Sequence, residues 1–298
     1  MEHQHHHHEI KGKNLFFTIL LNLGISIAEL IGGIVSGSIS LISDAIHNFS
    51  DVLSLIISYV ANSLAQKNAS TRKTFGYKRS EILAAFFNSS TLIILAAYIL
   101  YEAINRFVNP VKVSSGLVIW LAAASILVNG LSVLFIKTGA RESINIKSAY
   151  LHLLGDMMTS IAVLIGGILI KYLQTYWIDP LFSILIAFYL IYSSWDIFKT
   201  SINIIMQFTP NGLNINEAVA ELEKIEGVKN IHHVHIWQLN DRDIFFESHV
   251  DVEEDIHISE FEKLKKTMDA VLARYNIHHV TLQPEFETDD EKELIHKQ

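Results

Sequence analysis

The chain has 298 residues, half of them hydrophobic, and only 18% carry a formal charge, against roughly 25% in soluble domains. That balance argues against a purely soluble protein and points to a multi-spanning membrane segment joined to a water-soluble part. The absence of cysteine excludes a disulfide framework and thiolate metal sites. Net charge is −8, unevenly divided: residues 1–209 hold 14 Lys+Arg against 11 Asp+Glu, and residues 210–298 hold 9 against 20. An acidic tail argues against nucleic acid and against an anionic lipid surface as its partner, and is compatible with cations.

Residues 1–13 are polar and His-rich, with five of the 15 histidines between His3 and His8. They lack the apolar core of a signal peptide. HQHHHH reads as a flexible metal-collecting tract or an appended tag. Six apolar segments follow, over about 14–35, 39–64, 81–107, 115–136, 148–170 and 177–198, each able to cross a bilayer as a helix of about 20 residues. Their connections sort by charge. Lys11, Lys13, the five cations of loop 66–80, Lys137, Arg141, Lys147 and Lys199 fall on one side, with Arg106, Lys112 and Lys171 on the other. The positive-inside rule places both termini in the cytoplasm. The glycines of GGIVSG and IGGIL suit close helix packing in lipid.

After Pro210 the pattern is that of a small α+β domain. NEAVAELEKIEG predicts an amphipathic helix closed by Gly227. VKNIHHVHIWQL and IFFESHVDV, joined by the turn NDRD, predict two strands. Residues 258–275 return to helical periodicity, and HHVTLQPEFE predicts a third strand. The expected order is αββαβ, one sheet with helices on one face, and residues 287–298 are expected to fray. The domain boundaries are therefore 1–13 for the N-terminal tail, 14–209 for the six-helix membrane domain, 210–287 for the cytoplasmic domain and 288–298 for the end.

The chemistry lies in the polar residues of the apolar part. His47 and Asp51 are one turn apart in the second segment, and His152 and Asp156 repeat that spacing in the fifth. Ionisable groups at membrane depth persist when they face a bundle interior and act there. A lone His or Asp can be a polar staple between helices, but the same pair on two spans is harder to explain that way. Two such pairs would supply two imidazole nitrogens and two carboxylate oxygens, a tetrahedral set suited to Zn2+, with Cd2+, Co2+ or Ni2+ also fitting. Asp44, one turn before His47 or Asn48, reads either as a pathway or outer-shell group or as helix N-terminal stabilisation. Glu29, Asn22 and Asn129 are lesser candidates, the asparagines for interhelical hydrogen bonds. Metal binding needs neutral imidazole and ionised carboxylate, so protonation ejects the ion. A midplane site open to either side in turn would then exchange protons for metal. No Walker motif is present to suggest ATP drive. In the tail, His232, His233, His235, His249, His278 and His279 fall on the predicted strands. Each alone reads as a surface or packing residue, and several converging with Glu285 would bind metal peripherally.

Over roughly residues 14–287 the chain resembles the cation diffusion facilitator family, in its bacterial cadmium, cobalt and zinc resistance subgroup. SLISDAIHNFSD, TFGYKRSEILAAFFN, SAYLHLLGD, GVKNIHHVHIWQL and HHVTLQPEFE carry the resemblance. It implies a transport site of His47, Asp51, His152 and Asp156, the His/Asp/His/Asp pattern associated with zinc. It implies a homodimer in the inner membrane with ferredoxin-like cytoplasmic domains, in which metal regulates the dimer. His232, His249 and Glu285 correspond to family metal ligands there. The chain departs from some members in having Gln283 before the last acidic ligand, and no His or acidic ligand in loop 66–80. The expected function is efflux of divalent cations, chiefly Zn2+, against protons. An intramembrane metalloenzyme is the first alternative, but H-E-x-x-H is missing and a four-ligand site leaves no position for a catalytic water. A membrane metal sensor is the second, and it would not need ionisable pairs in two spans.

Overall fold

The computed structural model describes residues 12–136, 144–289 and 291–295, with the backbone alone for 12–19, 55, 135–136 and 144–153. The histidine tract at 3–8 lies outside the described residues. Six long helices come first: α1 (Gly12–Ser36), α2 (Ile39–Ala65), α3 (Ser80–Val108), α4 (Ser115–Ile136), α5 (Ile144–Leu173) and α6 (Ile178–Ile205). They coincide with the six predicted segments, except that α5 begins earlier and α6 runs on past 198. Four stretches, Ser80–Val108, Ser115–Leu134, Leu154–Leu173 and Ile178–Ile205, are long and apolar enough to cross a membrane. The described apolar part of α1, Leu20–Ser36, is shorter. The polar residues of α2 lower its hydropathy; they include Asp44, His47, Asn48 and Asp51.

The chain divides into two compact units, one of residues up to Tyr59 with Phe87–Asp196, the other of Val60–Phe86 with Ile197–Gln298. In the first unit, Leu41, Ala96, Val118, Ala122, Val163 and Leu190 form an apolar cluster drawn from α2 to α6. Small residues let the helices approach. A Cβ on Gly33 would stand 2.6 Å from Ile42 Cγ1 and 3.0 Å from the Ile42 backbone nitrogen, and one on Gly32 would collide with Leu121. Gly37 turns α1 into α2 with φ +72°, a conformation that costs glycine little. Ser38 N–H closes that turn on Gly33 O at 3.0 Å.

The start of α2 is capped from a distance. Asp179, in the first turn of α6, accepts from Ile39 N–H at 2.7 Å and from the hydroxyls of Ser38 and Ser40 at 2.5 and 2.6 Å. A carboxylate at a helix start satisfies N–H groups that have no intrahelical partner and complements the helix dipole. Arg106 of α3 adds a second clamp, donating to Gly37 O at 2.6 Å while pairing with Glu102 at 2.9 Å.

The second unit holds the small domain: α7 (Ile215–Leu222), β1 (Val228–Gln238), β2 (Ile244–Val252), α8 (Ile258–Ala273) and β3 (Ile277–Glu285). The αββαβ order is as predicted. The sheet runs β1-β2-β3, with β1 and β2 antiparallel and β2 and β3 parallel. Helix α7 stops at Leu222, short of the predicted end; Gly227, at φ +91°, turns the chain into β1 instead. Asn214 caps α7 by accepting from Asn216 N–H. Val219, Leu222, Ile231, Phe246, Met268 and Leu272 are among the buried core residues between helices and sheet. The expected fraying is overturned for residues 291–295. His233 N–H donates to Glu293 O at 3.2 Å and Val234 N–H to Leu294 O at 2.9 Å, and Leu294 packs on the core. The edge of β1 has unpaired backbone groups to offer, and the tail takes them.

Within this unit Lys78 pairs with Asp243 at 2.7 Å. Asn240 shapes the β1–β2 turn by accepting from the N–H groups of Arg242 and Asp243. The hydrogen bond from the Lys78 ammonium holds the Asp243 carboxyl below its ordinary range.

Two predictions follow from these contacts. Gly33→Ala should force α1 and α2 apart and lower stability by about 1–3 kcal/mol, whereas Gly24→Ala, with open space around it, should not; thermal unfolding in detergent compares them. A group with a depressed folded pKa contributes stability above its unfolded pKa and loses it as pH falls through the folded value. Both partners are partly exposed, so a Lys78→Met/Asp243→Asn cycle should give under about 1 kcal/mol of coupling at pH 7, fading as pH falls below about 4.

Candidate metal centre

Helix α2 presents His47 and Asp51 on one face because they are four residues apart. His47 is buried, and Asp51 is partly so. From α5 comes Asp156, also buried. His47 Nε2 lies 3.2 Å from Asp156 Oδ1, and His47 Nδ1 lies 3.7 Å from Asp51 Oδ2. One ligand atom from each of the three falls within 4.8 Å of the others. A tetrahedral zinc ion with bonds of about 2.0–2.1 Å has ligand edges of ~3.3 Å, close to the 3.2 Å between His47 Nε2 and Asp156 Oδ1. His152 lies in α5 one turn before Asp156, but its side chain lies outside the described residues. Tyr189 of α6, not singled out by the sequence, stands edge-on to the His47 ring at 6.1 Å.

Asp44 is fully buried. Its two oxygens accept from Thr159 and Ser160 of α5, each at 2.7 Å. It lies beyond the first turn of α2, which holds no acidic residue, so the helix-end alternative fails. Ser160 continues to Ser125 of α4 at 3.0 Å. Glu29 of α1, equally buried, accepts from Asn48 at 3.3 Å. These buried carboxylates are therefore served by neutral donors, whereas Asp51 and Asp156 share an imidazole.

A second cluster sits on the sheet. His232 and His249 are direct cross-strand partners, as are Asp251 and Glu285, and residues two apart in a strand share a face. His249 Nδ1 is 2.8 Å from Glu285 Oε1, and His232 Nε2 is 3.3 Å from Glu285 Oε2. His232 Nδ1 lies 3.8 Å from Asp251 Oδ2. Two imidazoles with one or two carboxylates at these separations are a donor set that fits Zn2+. Gln283 donates to Glu285 Oε1 at 3.0 Å and so orients the carboxylate. Asp251 escaped the sequence reading, although its place two residues from His249 in a strand was a usable signal. His233 stacks on His249, and His279 stacks on Phe245. His235 meets His233 edge-on. Neither they nor His278 belong to the three-residue cluster.

Residues 15–206 match the family model of the cation efflux transmembrane domain, and residues 210–287 match that of the cation efflux protein cytoplasmic domain. The chain is 37% identical over 294 residues to the cadmium, cobalt and zinc/H(+)-K(+) antiporter of Bacillus subtilis, covering 98% of this chain and 94% of that protein. It is 34% identical over 294 residues to the zinc transporter ZitB of Pectobacterium atrosepticum, covering 98% and 91%. With the metal cation efflux system protein CzcD of Cupriavidus metallidurans it shares 32% over 281 residues, covering 94% and 89%. The chain therefore belongs to the cation efflux, or cation diffusion facilitator, family, in its cadmium, cobalt and zinc exporter subgroup, and is a membrane transporter of metal cations, not an enzyme.

Proposed function

We propose that the protein exports divalent cations, Zn2+ foremost, from the bacterial cytoplasm in exchange for protons. The observation that carries this reading is the approach of His47 and Asp51 on α2 to Asp156 on α5, with His47 Nε2 and Asp156 Oδ1 3.2 Å apart. His152, one turn from Asp156, completes the set as the fourth ligand. The metal is cargo: it is held by neutral imidazole and ionised carboxylate, and protons arriving from the far side replace it. Helices α1 to α6 form six crossings of the plasma membrane, with both termini cytoplasmic by the distribution of Lys and Arg. Asp44, whose carboxylate orders the α5 hydroxyls beside the site, belongs to the wall of the path.

The small domain is the cytoplasmic part of a homodimer. Its parallel β2–α8–β3 crossover supports a ferredoxin-like reading. His232, His249 and Glu285 hold a regulatory metal there, separate from the one in transit.

Purified protein in vesicles with an acidic lumen should accumulate Zn2+ as protons leave, and accumulation should stop when the pH gradient is collapsed. Asp51→Ala and Asp156→Ala should each reduce uptake to the level of empty vesicles while the protein elutes as a folded species. Uptake persisting in both variants would sink the site assignment, and uptake indifferent to the gradient would sink the exchange. Competition among Zn2+, Cd2+, Co2+ and Mn2+ in the same vesicles ranks the cargo, with Zn2+ expected first.

A further inference from the structure

The end of the chain places a cation inside the cytoplasmic cluster. Lys292 Nζ lies 3.0 Å from Asp251 Oδ1, 3.4 Å from Glu285 Oε2 and 3.5 Å from His232 Nε2. An ammonium offers three donors and no acceptor, so it donates to the carboxylate oxygens of Asp251 and Glu285 and stands against the ring nitrogen of His232. The lone pairs facing Nζ are the ones a bound divalent ion would use.

The backbone delivers this side chain. Glu293 O and Leu294 O accept from the N–H groups of His233 and Val234, and Leu294 lies on the apolar core. β1 is bulged here, with a register shift between His232 and His235 and His233 at φ +52°. Between Phe286 and Ile295, Lys292 is the one basic residue, set among Glu287, Asp289, Asp290, Glu291 and Glu293. The attachment includes two main-chain bonds, one apolar side chain and the ammonium. Short segments at the edge of a domain open more readily from the native state than its core does.

We infer that Lys292 is a built-in competitor for the cytoplasmic cluster: a divalent cation and the Lys292 ammonium occupy it in turn, and metal loading releases segment 291–295 from the edge of β1. The inference rests on reading the cluster as a metal site. An ion bonded at about 2.0–2.2 Å to the same oxygen and nitrogen atoms leaves no room for an ammonium already in contact with them. Asp251, freed of Lys292, joins His232, His249 and Glu285 as a fourth donor.

The test uses the full-length protein in detergent carrying Asp51→Ala and Asp156→Ala, with His3 and His5, His6, His7 and His8 of the N-terminal tract also changed to Ala, so that Zn2+ titrated against a chelating dye reports the cytoplasmic cluster. Lys292→Met should tighten binding about tenfold, the factor expected when the docked tail fills the cluster about nine-tenths of the time. Lys266→Met, an exposed charge on α8, should leave binding unchanged. Hydrogen exchange at His233 and Val234 should rise on adding Zn2+ to the protein with Lys292 intact. Equal affinities for the Lys292→Met and Lys266→Met proteins, or exchange that does not respond to saturating Zn2+, would overturn the displacement. A His232→Ala/Glu285→Ala protein separates the two ideas. If it keeps the Zn2+ binding, the metal-site reading fails and the inference fails with it. If it loses binding while Lys292→Met has no effect, displacement alone is wrong.

Discussion

A carboxylate at the start of α6 does for α2 what a local cap does for most helices. Asp179 collects the hydroxyls of Ser38 and Ser40 and the N–H of Ile39. Buried N–H groups left unsatisfied are expensive, so this contact fixes where α2 begins and how it is seated against α6. His47 and Asp51 lie farther along the same helix and inherit that position. Asp44, between the cap and the ligands, binds Thr159 and Ser160 and ties α2 to α5, the helix that carries Asp156. The geometry of the His47, Asp51 and Asp156 cluster thus depends on two carboxylates outside it.

The same physical pressure separates structural from chemical charge in the apolar unit. Asp179, Asp44 and Glu29 are each met by hydroxyl, amide or backbone N–H donors. Asp51 and Asp156 are instead grouped around His47. Neutral donors in a fixed frame make a permanent arrangement. An imidazole between two carboxylates makes one whose charge changes when a proton enters.

His47, Asp51 and Asp156 were legible because ionisable residues four apart stand out in an apolar run, and the six helices because their apolar lengths match a bilayer. Asp179 was not: its partners are about 140 residues away in sequence, and nothing local distinguishes it from an ordinary first-turn acid. The domain order came from periodicity alone, yet the end of α7 did not, because Ile225 keeps helical spacing in a stretch that turns toward Gly227. Lys292 was hidden for a different reason. An acidic, low-hydropathy end reads as solvated chain, and only the bulged edge of β1 gives it a place to bind.

A competitor carried on the same polypeptide has a concentration set by its tether, and neither expression level nor dilution alters it. For the cluster of His232, His249, Asp251 and Glu285, competition by Lys292 would write the metal level at which the cluster fills into covalent structure. Chain length between Glu285 and Lys292, and the grip of Leu294, become tuning variables. Lengthening that tether, or loosening that grip, would lower the threshold without altering a single ligand.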